Sequence, residues 1–246
     1  ASSQTAFPTG SPSLTANAVK LIAIIAMTAD HLAWWLLRTD SFSGQLVHFF
    51  GRLTMPIMCF FVAEGFRYTK NIQKYAFRLA LFVALSHFPY VFFFGHKWYS
   101  TTSVMFTLFL GLLAVILCDK FKDKQMYTLI VVVLCCILSY RSDWSYIAIL
   151  WTVAAYMYRH NKNYQLASFV VIGLITYALP QFFASGHTML YPFGFLLAIP
   201  VLLLYKGERG KKNALTKWGF YAYYPAHLMV LLLFKYITHL DLWILA

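Results

Sequence analysis

Asp30 and His31 stand side by side inside the apolar run Val19 to Leu37 (VKLIAIIAMTADHLAWWLL). An ionisable side chain at mid-membrane costs about 2.5–3.5 kcal/mol, so such a pair needs a purpose or a partner. A His beside a carboxylate suits general-base work: the imidazole takes a proton from a hydroxyl or amine, and the carboxylate steadies the imidazolium. The alternative is a pair of satisfied core polar groups holding helices together. Counted from Val19, His31 lies about 18 Å along a helix, near the middle of a bilayer. At 3.6 residues per turn Ala23, Ala26, Asp30 and Ala33 form one small-residue stripe that admits a close neighbour. Ile24, Thr28, His31, Trp35 and Arg38 form the next stripe, leaving Ile22, Ile25, Ala29, Leu32 and Leu36 for lipid. Consecutive positions diverge by about 100°, so Asp30 need not be the residue that touches His31.

Other polar residues recur at similar depth. Gly51, Arg52 and Pro56 open a second apolar run, where Arg52 either clamps an anion, pairs with Asp30, or snorkels to the interface. Glu64 and Arg67 close that run at i, i+3 spacing, as a site or as a helix-end ion pair. His87 lies two residues before Pro89, and His227 follows Pro225 in the aromatic stretch FYAYYPAHL. A proline inside a membrane helix frees a backbone carbonyl, and such breaks commonly line cavities. Tyr223, four residues before His227, can hydrogen-bond it. Three intramembrane histidines near one depth imply a polar cavity. No HExxH or H-x-x-x-H pattern accompanies them, so no metal is expected.

The elements that must carry these groups are membrane helices. The chain has 246 residues, 61% hydrophobic and only 11% charged, with a mean hydropathy of +0.64; a soluble domain is about a quarter charged. Nine apolar spans are expected: Val19–Leu37, Val47–Phe66, Ala76–Phe94, Ser103–Cys118, Met126–Leu138, Trp144–Tyr158, Leu166–Phe183, Met189–Tyr205 and Trp218–His239. Met126–Leu138 is short for a straight crossing. With nine spans, one face receives 15 of the Lys and Arg residues and the other receives 5, which puts the N-terminus in the cytoplasm by the positive-inside rule. The basic excess is therefore topology and not a nucleic-acid footprint. The polar segment 1–16 reads as a flexible lead-in, and 17–246 as one all-α polytopic domain. Cys59, Cys118, Cys135 and Cys136 read as free buried thiols.

The strings VKLIAIIAMTADHL (19–32), GRLTMPIMCFFVAEGFRYT (51–69) and FYAYYPAHL (220–228) resemble the TraX family, F-pilin-acetylase-like membrane proteins grouped with acyltransferase family 3 and the heparan-α-glucosaminide acetyltransferases. The resemblance runs from first helix to last. It implies a transferase using cytosolic acetyl-CoA as co-substrate, in the inner membrane of a bacterium. The acceptor is an extracytoplasmic amine or hydroxyl on a glycan, lipid or protein N-terminus. The family's Asp-His falls on Asp30 and His31, its Gly-Arg on Gly51 and Arg52, and its C-terminal His on His227. His31 is then the general base, and Asp30, Arg52 and His227 complete the catalytic group. His87, Glu64, Tyr223 and Trp35 line the acceptor path. The basic run from Arg67 to Arg78, with Arg67, Lys70 and Lys74 foremost, and the basic cluster Lys206 to Lys217 meet the phosphates of coenzyme A, or else anionic lipid. The rival reading is a proton-coupled secondary transporter that uses the same His and Asp residues as a relay.

Overall fold

A computed structural model describes residues 13–211, 213 and 215–238. Among these the chain is all helical, apart from two isolated bridges, Leu14 with Tyr205 and Thr102 with Ser142. The lead-in to residue 12 and the expected end of the last span at His239 lie outside the described residues.

The helices follow the expected order. They are α1 (Ala16–Leu36), α2 (Phe42–Gly51), α3 (Thr54–Tyr68), α4 (Ile72–Phe93), α5 (Val104–Lys120), α6 (Gln125–Ser139) and α7 (Ser145–Met157). After them come α8 (Lys162–Gly173), a π turn (Leu174–Ala178), α9 (Leu179–Ala184), a 3-10 segment (Tyr191–Leu197), α10 (Ala198–Leu204) and α11 (Phe220–Thr238). Among the described residues four stretches are long and apolar enough to cross a membrane: Ala16–Leu36, Phe42–Tyr68, Ile72–Phe93 and Lys162–Ala184. Gln125–Ser139, Ser145–Met157 and Tyr191–Leu204 are shorter apolar helices beside them.

Local sequence explains the boundaries. Thr15, Ser41, Asn71 and Asn161 each cap a helix by accepting a backbone N–H, the role short polar side chains serve best. The Val47–Phe66 run is interrupted at Arg52–Leu53, between α2 and α3. Pro56 supplies the reason: it has no N–H for the Arg52 carbonyl four residues back, so the ladder loosens there. The same turn carries the Arg52 side chain.

Packing centres on α3, α5 and α7, whose buried faces meet around Ile57, Leu112 and Trp151. Helix α1 leans on α2 and α3, while α4 packs between α5 and α11. By contrast α6 buries only Cys135 and Ser139 and exposes Leu129, Val133 and Ile137, as suits a helix facing lipid. One end of the bundle is tied by backbone bonds from Leu14 N to Leu204 O (2.9 Å) and Ala16 N to Glu208 O (2.7 Å). At the other end Gln45 Oε1 accepts from both Leu190 N and Tyr191 N at 3.0 Å.

Candidate functional site

Asp30 and His31 occupy consecutive positions on α1 and turn to different partners. Asp30 faces α2, accepting from the Arg52 guanidinium and lying 2.8 Å from His48 Nδ1. His48 and Arg52 are four residues apart, so one turn of helix presents both to the same carboxylate. Gly51 makes the approach possible: a Cβ there would overlap the Asp30 side chain, reaching within 2.6 Å of Cγ. Arg52 is enclosed by the rings of Trp144 (5.3 Å), Tyr191 (5.6 Å) and Trp34 (6.0 Å), and Tyr177 OH lies 3.4 Å from it. Tyr177 belongs to the π turn, an insertion that re-aims side chains and recurs at functional sites. The stacked rings keep the guanidinium dry and charged.

His31 turns to α11. Its Nδ1 lies 2.7 Å from His227 Nε2, with the two rings only 8° from parallel. His227 Nδ1 lies 2.9 Å from the Tyr223 carbonyl oxygen. A carbonyl only accepts, so His227 Nδ1 must carry the proton. In neutral His227, Nε2 is then the acceptor, His31 Nδ1 the donor, and His31 Nε2 keeps its lone pair. Phe93, Phe94 and Tyr224 pack against the His31 ring and hold its orientation. Tyr223 also meets Thr28 through their hydroxyls at 2.8 Å.

His31 and Asp30 border a cavity in the bundle, with Gly51, Asp143 and Tyr224 on its wall. Tyr224 is buried beside the Val104 backbone, and among the described residues its hydroxyl has no acceptor. Asp143 comes from the loop between α6 and α7, fixed by its N–H to the Thr102 carbonyl (2.9 Å). The next two residues, Trp144 and Ser145, hold positive φ of 59° and 43°. Such strain in non-glycine residues persists only where the surroundings enforce it, and it gathers at functional sites.

Burial pushes the Asp143 carboxyl up to about 6, from 3.8 for a solvated aspartate; Arg52 opposes the rise and Asp30 adds to it. The folded protein therefore holds this proton more tightly than the unfolded chain. Stability from the group is complete below about pH 4 and declines as pH rises through about 6. Asp143→Asn is thus expected to raise the unfolding free energy at pH 8 by at most about 3 kcal/mol, and by little at pH 4. Thermal melts of both proteins across that range test it; an equal difference at both pH values would contradict the burial cause.

The remaining sequence candidates divide. Glu64 lines a vestibule that continues the cavity toward the end holding Lys20 and Arg209, and it meets Arg67 Nη1 at 3.9 Å and Tyr205 OH at 3.4 Å. Arg67 also covers the Tyr68 ring at 5.1 Å. The cations that line the shared neck of cavity and vestibule are instead Lys20, Arg78 and Arg209. Arg67, Lys70 and Lys74 line neither, although Tyr68 and Thr69 beside them border the vestibule. His87 is not on the cavity wall either: its Nε2 lies 2.8 Å from the Trp98 carbonyl oxygen. Trp35 and Tyr223 are partly buried behind the wall, and Arg52 stands behind Asp30.

His48, Asp143 and Tyr224 were not singled out from sequence. The His48–Arg52 spacing is a signal for the first, and the tyrosine run beside Pro225 for the third. Asp143, in the turn YRSDWS, has none.

The TraX protein family model matches residues 15–235 of this chain. "Probable fimbrial assembly protein FimC, serogroup H1" of Dichelobacter nodosus is 32% identical over 230 residues, covering 87% of this chain and 92% of that protein. No solved structure matches. With a family match spanning first helix to last, the chain belongs to the TraX family.

Proposed function

We propose that this protein is a membrane acetyltransferase that takes the acetyl group of acetyl-CoA from the cytoplasmic side and passes it to an amine or hydroxyl on the other side. The N-terminus and the end holding Lys20 then face the cytoplasm of a bacterial inner membrane. The observation that carries the reading is the His31–His227–Tyr223 chain. It leaves one imidazole nitrogen, His31 Nε2, unprotonated on a residue that lines a cavity leading toward Lys20, Arg78 and Arg209.

In this reading the acceptor N–H or O–H gives its proton to His31 Nε2 as its lone pair attacks the thioester carbonyl carbon. The new C–N or C–O bond forms, and the carbonyl oxygen becomes an oxyanion. The Tyr224 hydroxyl, from the same cavity wall, can donate to that oxygen. Collapse breaks the C–S bond, and His31 returns its proton to the departing thiolate. His227 holds the imidazolium through Nδ1–H of His31, while Arg52 and His48 fix the Asp30 charge one helix position away.

A fimbrial subunit is the first acceptor to try, given the name of the Dichelobacter relative. The test is proteoliposome-reconstituted protein with acetyl-labelled acetyl-CoA and a mixture of fimbrial protein, glycan and lipid acceptors. Label appearing in an acceptor, with free thiol released in equal amount, is expected. Thiol release and acceptor labelling both absent at saturating donor would end the proposal.

A further inference from the structure

Lys20, Arg78 and Arg209 come from α1, α4 and the loop before α11, and together they line the neck shared by vestibule and central cavity. Lys20 Nζ lies over the Phe61 ring (4.8 Å) and the Phe220 ring (5.4 Å). Arg78 lies over Tyr75 (5.8 Å) and Trp218 (6.0 Å), and its buried Nε has no hydrogen-bond partner. Among the described residues none of the three forms an ion pair. Glu64, the carboxylate in the vestibule, is already engaged by Arg67 and Tyr205. The loop that brings Arg209 is held by Ala16 N to Glu208 O (2.7 Å) and Asn17 Nδ2 to Lys211 O (2.9 Å). The cup is thus built into the fold: three cations converge on one neck, and Glu64 and Asp30, carboxylates of the adjoining spaces, are engaged by Arg67 with Tyr205 and by Arg52 with His48.

Helix α1 supplies a ruler. Lys20 and His31 are on the same helix, and the rise between them is about 16 Å. Aromatic rings line the way: Phe61, Tyr75, Tyr221 and Tyr224.

We infer that Lys20, Arg78 and Arg209 form a phosphate-binding cup that selects an acyl donor carrying its phosphates at the far end of a long arm from the thioester. This rests on the acetyl-transfer reading above and deepens it. A phosphate gripped at the cup places a carbonyl at His31 only if the connecting arm spans the distance. Short donors such as acetyl phosphate reach one site and not both. Donors that keep the arm but lack phosphates reach His31 without an anchor. The same phosphate chemistry is offered by a soluble nucleotide donor and by an anionic lipid headgroup, and the experiment separates them.

Transfer rates are measured with acetyl-CoA, with acetyl-pantetheine, which has the arm but no phosphate, and with acetyl phosphate. The wild type is expected to prefer acetyl-CoA over acetyl-pantetheine by about a hundredfold in kcat/KM, through KM, and not to use acetyl phosphate. Arg209→Gln, an exposed-loop change that leaves packing alone, is expected to cut the preference about tenfold. Adding Arg78→Gln and Lys20→Met should bring it near unity. Equal use of the two thioesters by the wild type, or an unchanged preference in the triple variant, would overturn the inference while leaving the transferase intact.

If no donor reacts, the transferase reading fails, and the cup is judged by thermal shift with adenosine 3′,5′-bisphosphate. A saturable rise in Tm lost in Arg209→Gln keeps the cup, and no rise overturns it. A rise with phosphatidylglycerol nanodiscs over phosphatidylcholine ones, without any response to the bisphosphate, assigns the cup to lipid and overturns the donor role.

Discussion

Replacing His31 by Gln is expected to leave a folded protein whose acetyl transfer falls about 10³-fold, with the KM for acetyl-CoA little changed. Loss of a positioned general base costs about 10²–10⁴ in rate, and the phosphate cup lies about 16 Å away along α1. His227→Leu is expected to fall between His31→Gln and the wild type. It removes the acceptor for His31 Nδ1–H, so the ring is no longer held in the tautomer with Nε2 free. His227→Gln restores an acceptor oxygen at that place and is expected to recover part of the loss. Turnover on reconstituted protein, with melting curves to verify folding, reads all three. Full activity in folded His31→Gln would remove His31 from the reaction, whatever the other variants do.

The second large effect is on stability. Asp30→Ala leaves the Arg52 guanidinium enclosed by Trp34, Trp144 and Tyr191 without its carboxylate. Removing one partner of a buried ion pair costs about 3–5 kcal/mol, because the survivor is stranded. Arg52→Met is expected to cost a similar amount by stranding Asp30, although His48 still contacts the carboxylate and softens the loss. The double variant Asp30→Ala with Arg52→Met should cost clearly less than the two single changes added together. Equilibrium unfolding in mixed micelles gives the coupling. Strict additivity would mean that the two groups do not interact in the folded protein.

Much of the fold was legible because hydrophobic runs and their punctuation are local. All nine expected spans correspond to helical segments among the described residues, mostly within a few residues at each end. Interior geometry was legible where helix periodicity governs it. Asp30 and His31 diverge by one helix step, which sends one to α2 and the other to α11. What was not legible is convergence between distant segments. The contiguous run Arg67, Lys70 and Lys74 looks like an anion site in one dimension. The neck takes Arg78 from the end of that run, Arg209 from the basic cluster Lys206 to Lys217 and Lys20 from α1, and nothing local in the sequence joins the three. Asp143 sits in what reads as an ordinary polar turn, and only the fold shows that the turn dips between helices to line the cavity. His87 shares the composition of the other histidines, but its position on α4 turns it toward the Trp98 carbonyl.

The Asp30–Arg52 pair bears on how the chain is made. The two charges belong to successive apolar segments, 22 residues apart. Each alone at mid-depth costs about 2.5–3.5 kcal/mol in a translocon. The segment that carries Asp30 is thus a poor candidate to partition into lipid alone, and the segment that follows it carries the charge that neutralises it. The favourable course is for α1 to wait at the translocon until α2 and α3 arrive, so that the ion pair closes before either helix meets lipid and the two segments enter the bilayer as a hairpin.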